Sequence, residues 1–100
     1  MHRHAYRFSF DPSVSFDAVD SAFTLALLAA ECLHGESAVR VEARYASDPE
    51  RSVIVIDGAT PVGLSINRLF AGFARYEFGT DSFIVEFADV LGESAAQRAA

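Results

Sequence analysis

The run Ser52-Val53-Ile54-Val55-Ile56-Asp57 decides how the rest of the chain is read. Neighbouring residues of a strand point to opposite sides, so four consecutive β-branched residues make both faces of this segment apolar. A strand of that kind belongs in the middle of a sheet, covered above and below. The segments around it must then supply flanking strands and a covering layer.

Just upstream, residues 38–46 alternate, with Val39, Val41, Ala43 and Tyr45 set against Arg40, Glu42 and Arg44. This spacing predicts a half-buried strand, joined to the central run as a hairpin through Ser47-Asp48-Pro49-Glu50. Residues 4–10 alternate as well: His4, Tyr6, Phe8 and Phe10 share a face with His2, while Arg3, Ala5, Arg7 and Ser9 share the other. Asp11-Pro12-Ser13 breaks that strand. Downstream, 82–87 reads as the last strand, with Phe83, Val85 and Phe87 opposite Ile84 and Glu86.

Two segments between these strands have helical spacing. The first is expected to use Ser15 as its cap, Asp17 in its first turn, Val14 and Val19 as a hydrophobic staple, and Gly35 as its stop. Phe16, Val19, Phe23, Ala26, Leu27, Ala30 and Leu33 form its core stripe, yet Leu25, Leu28, Ala29 and Cys32 fall outside it. That surplus of apolar surface suits a neighbouring helix or a subunit interface. The second helix starts at Thr60-Pro61, buries Val62, Ile66, Leu69, Phe70 and Phe73, and ends at Gly79. Gly63 and Gly72 inside it each cost about 1 kcal/mol relative to alanine, which points to close packing or, at Gly72, a kink. Residues 89–100 read as a flexible or weakly helical tail.

Strand, helix, strand, strand, helix, strand is the βαββαβ order of a ferredoxin-like α+β fold, expected here over residues 1–88. Right-handed crossovers give a four-stranded antiparallel sheet in the order 4-1-3-2, with both helices on one face. Tyr6, Phe8, Phe10, Val39, Val41, Tyr45, Phe83, Val85 and Phe87 are then expected to face the helices. Arg7, Ser9, Arg40, Glu42, Arg44, Ile84 and Glu86 fall on the open face, with one alternate pair of the central run taken to include Ile54. A salt-laced face with an apolar middle suits burial against a second copy.

Composition narrows the function classes. One hundred residues fit one domain, 51% hydrophobic and 22% charged residues are globular in character, and no apolar run approaches the ~18 residues of a membrane span. Met-His-Arg-His has no apolar stretch behind it, so no secretory signal is expected. The single cysteine, Cys32, has no internal disulfide partner and fits a reducing cytoplasm. Net charge is −6, and all eight basic residues are arginine, a usage that suits a GC-rich bacterial genome. With no lysine there is no Schiff-base chemistry and no phosphate-loop lysine. An RNA-stacking sheet needs aromatics on its open face, where this chain places none. The Asp11-Pro12-Ser13-Val14-Ser15 loop lacks the cysteines of a copper carrier and the glycines of an anion cradle.

One constellation carries chemistry. The topology gathers His2, His4, Cys32, His34, Glu36, Asp57 and Asp89 at one end of the molecule. His2 and His4, two apart on one strand face, and His34 from a helix end form a candidate divalent-metal or acid–base site, with Asp57 or Glu36 as partner. His34 is equally explained as a cation at a helix C-terminus. The expectation is a small cytoplasmic, non-catalytic interaction module without a cofactor, binding neither nucleic acid nor membrane. It pairs with itself, as a dimer, or with a protein partner through Leu25, Leu28, Cys32, Arg40, Arg44, Ile54 and Ile84. The alternative is a small-molecule or metal-binding protein, or an enzyme, working through the histidine end or an interface cleft.

Overall fold

The computed structural model describes residues 5–88, and the expected tail at 89–100 lies outside them. Strand β1 (Ala5–Phe10) leads through the Asp11 turn into α1 (Phe16–His34), followed by α2 (Glu36–Glu42), β2 (Tyr45–Asp48) and β3 (Val53–Asp57). Helix α3 (Pro61–Phe78), a short 3-10 turn (Thr80–Ser82) and β4 (Phe83–Ala88) complete the described residues. The result is an α+β fold with three helices and one open antiparallel sheet, ordered β2-β3-β1-β4 (4-1-3-2 counted from the other edge).

The central position of β3 follows from its two apolar faces. Ile54 and Ile56 are fully buried in the core under the helices, and Val55 is fully buried on the opposite face. Ile54 therefore belongs to the core and not to an interface, as the choice of alternate pair had it; Val53 and Val55 take the open side. Under the helices, Phe8 and Phe10 of β1 meet Phe70 of α3 at ring-centroid distances of 4.8 and 5.9 Å. Phe23 of α1 reaches the same ring at 5.4 Å and Tyr45 of β2 at 4.7 Å.

The stretch expected as a long second strand is divided. Residues 36–42 form helix α2, so three helices stand where two were expected, and only Tyr45–Asp48 extends. Glu-Ser-Ala-Val-Arg-Val-Glu alternates, but it also places Glu36 four residues before Arg40, and their side chains pair at 2.9 Å along one helix face. Val39 and, one turn on, Ala43 then turn inward while Val41 stands 78% exposed, away from the helices it was expected to meet. Over so few residues a period of two and a period of 3.6 compete, and tertiary contact selects between them.

Helix termini follow local chemistry with one departure. Thr60 caps α3 by accepting from the Gly63 amide at 2.9 Å, with Pro61 at the first helical position. Gly35 and Gly79 close α1 and α3 at φ +93° and +88°, where a Cβ is strained. Ser15, however, makes no side-chain capping bond. Gly63 has a packing reason: a Cβ there would collide with the Asp57 carbonyl where β3 turns into α3. Asn67 ties the same junction, donating from Nδ2 to the Gly63 carbonyl at 2.9 Å and the Ile56 carbonyl at 3.3 Å. Leu33, expected in the core stripe, is exposed, and His34 beside it turns to Ser65 of α3 instead.

Candidate interaction surfaces

The described residues include only part of the expected histidine end. His2, His4 and Asp89 lie outside them. His34 Nε2 lies 2.8 Å from Ser65 Oγ, a contact that fastens the end of α1 to α3. Glu36 is held by Arg40, Asp57 accepts from the Ala59 amide at 2.9 Å in the turn before α3, and Cys32 is exposed. No group of three ligating side chains that could hold a metal occurs among the described residues. No helix among them is long and apolar enough to cross a membrane.

On the open sheet face, Ala5, Val55 and Ala88 form a small buried cluster edged by Val53 and Ala46. Arg7 and Glu86 face each other across β1 and β4, 3.8 Å apart, at its solvated rim. Arg40 and Glu42, expected here, sit on α2 instead. Arg44 is exposed in the link to β2, where its carbonyl accepts from the Asp57 amide at 2.9 Å.

The largest departure from expectation is β4. Its register places Phe83, Val85 and Phe87 opposite Phe10, Phe8 and Tyr6, on the helix side, yet Val85 remains 43% and Phe87 71% exposed. Phe83 stacks on Phe10 at 5.3 Å, whereas Phe87 touches Tyr6 at 5.0 Å and extends beyond the roof of α3. Ile84, on the open face, is 60% exposed. Apolar side chains thus stand bare on both faces of one edge strand. The sequence signal was present in Phe83-Ile84-Val85, apolar on both faces like β3. What periodicity could not show is that two helices roof the middle of a four-stranded sheet more completely than its edge.

A second exposed surface lies on the outer side of the helix layer. Ser21, Leu25, Leu28 and Cys32 recur at steps of four, three and four along α1, opposite its buried stripe of Val19, Phe23, Ala26 and Ala30, and all four are exposed. Beside α1, Leu27, Glu31, Val39, Arg40, Ala43 and Tyr45 line a depression of about 290 Å³ whose Arg40 is already paired with Glu36. At the corner of β1 and β4, Asp11 and Asp81 border another of about 260 Å³. The amide and hydroxyl of Ser13 hold the Asp11 carboxyl below the usual aspartate range.

The described residues thus form an α+β fold that exposes apolar side chains on β4 and on the outer side of α1. No protein-family model matches the chain, and no curated protein is significantly similar to it.

Proposed function

We propose that this chain is a non-catalytic interaction module that associates with a second copy of itself, and that β4 is the pairing element. The observation behind the reading is the exposure of Ile84, Val85 and Phe87 on a six-residue edge strand. An exposed, long, apolar edge is a template for another strand, and folded chains ordinarily blunt it with lysine, proline or a bulge. β4 carries one charge, Glu86, and that one is turned to Arg7. Two β4 strands meeting antiparallel about a two-fold axis would extend the sheet across the axis and bring the two sets of Ile84, Val85 and Phe87 together. We further read the strand order as the ferredoxin-like arrangement with α2 inserted before β2, and the lone thiol of Cys32 as that of a cytoplasmic protein.

Sedimentation velocity tests the reading directly. Ile84→Arg combined with Phe87→Lys places like charges across the pairing strand and is expected to halve the sedimenting mass while leaving the circular dichroism spectrum unchanged. An unaltered mass in the folded variant rejects β4 as the pairing element.

A further inference from the structure

The helix layer carries a second, self-complementary surface. On α3, Leu64, Arg68, Ala71 and Arg75 follow one another at steps of four, three and four, and Gly72 lies on the same outward side between the two arginines. Neither arginine has an ion pair among the described residues. A Cβ built at Gly72 meets no atom within 4 Å, so nothing among the described residues of the protomer explains a mid-helix glycine that costs about 1 kcal/mol in helix propensity. On α1, Leu25 and Leu28 are bare, and Asp17, Asp20 and Glu31 border them on one flank. One helix of the layer thus offers leucines with an acidic margin, and the other offers a flat glycine with a basic margin.

The protomer's own geometry aligns these features. His34 meets Ser65 and Phe23 meets Phe70, so α1 and α3 run antiparallel. Counting along the two helices in opposite directions from those contacts puts Gly72 beside residues 21–27 of α1, Arg68 beside 25–31 and Arg75 beside 18–24, ranges that hold Leu25, Glu31 and Asp20 respectively. A two-fold axis parallel to the helices preserves levels while laying each α1 on the partner's α3. We infer that the helix layer packs face to face on that of a second copy, Leu25 seated on the other copy's Gly72, with Arg68 and Arg75 of each chain paired to Glu31 and Asp20 of the other. Each contact then occurs twice, as an isologous interface requires. Alignment of α1 on α1 instead would set acidic margins against each other. The area suffices: a molecule of 34 × 30 × 20 Å has a face wide enough for the ~800 Å² per partner of a stable interface.

This contact uses a different face from β4, so the two assignments fail separately. The intact chain is expected to form a dimer of dimers, and Ile84→Arg/Phe87→Lys a dimer held by the helix layer alone. In that background Arg68→Glu/Arg75→Glu and, separately, Asp20→Arg/Glu31→Arg are expected to give folded monomers. Mixed in equal amounts, the all-acidic and all-basic chains should form a one-to-one dimer. Gly72→Leu should give a monomer with an unchanged helical spectrum, whereas a glycine of no interfacial role tolerates it. A background chain already monomeric, charge-reversed chains of unchanged mass, or a mixture that stays monomeric each overturns the assignment.

Discussion

The sheet has two edges, and they are built differently. β2 is four residues long, Tyr-Ala-Ser-Asp, runs into Pro49, and carries α2 just before it. Its one large apolar side chain, Tyr45, is 46% exposed and packs its ring against Phe23 at 4.7 Å. β4 is six residues long, carries a single charge and exposes three large apolar side chains, Ile84, Val85 and Phe87. The first edge has the features that stop strand addition and the second lacks them. Within one fold, then, residue choice separates an edge that ends the sheet from an edge able to extend it.

The contrast can be broken from either side. Tyr45→Ala should be the larger blow to stability, about 2 kcal/mol from lost burial and the lost ring pair. That corresponds to a fall in Tm of roughly 10 °C for a domain of this size, with no change in sedimenting mass. Loss of mass in that variant would mean that β2 takes part in association. Glu86→Ala removes the only charge from β4, and its exposed partner Arg7 contributes little at 3.8 Å. Stability measured by urea unfolding should stay within about 0.5 kcal/mol, while self-association strengthens because the edge has become wholly apolar.

The smallest effect concerns the turn that ends β1, beside the start of β4. Asp11 is held below the usual aspartate range by the Ser13 amide, so the folded chain binds its proton less readily than the unfolded chain does. Its contribution to stability is fully present above the ordinary aspartate pKa and is lost as pH falls through the lowered folded value. Asp11→Asn should therefore flatten the acid limb of the stability profile and leave neutral stability nearly unchanged. Following the Asp11 carboxyl by NMR titration should locate its midpoint below the ordinary aspartate value.

Much of the architecture was legible where pattern and chemistry agreed. The Val53-Ile54-Val55-Ile56 run marked a central strand, Thr60-Pro61 a helix start, and Gly35 and Gly79 helix ends, because each rests on the residue's own geometry or its immediate neighbours. Residues 38–42, the first part of the strand expected over 38–46, belong to α2: Val39 and Val41 alternate over too short a window, while the Glu36–Arg40 pair and the contact of Val39 with the core go with the helix. Ile54 was misplaced for a related reason: a strand apolar on both sides does not say which side faces the helices. Leu25, Leu28, Cys32 and Ile84 were readable as surplus apolar surface, whereas Val85 and Phe87 were not, since their alternation promised burial.

Local and near-neighbour forces therefore determined the identity of most elements and the surplus of apolar side chains over what one small core can hold. Tertiary structure alone decided where that surplus emerges. How far two helices roof a four-stranded sheet depends on how they pack against each other and on the strands beneath, a property of the assembled layers. Phe8 and Phe87 occupy the same face by sequence, yet one is buried against Phe70 and the other is largely exposed.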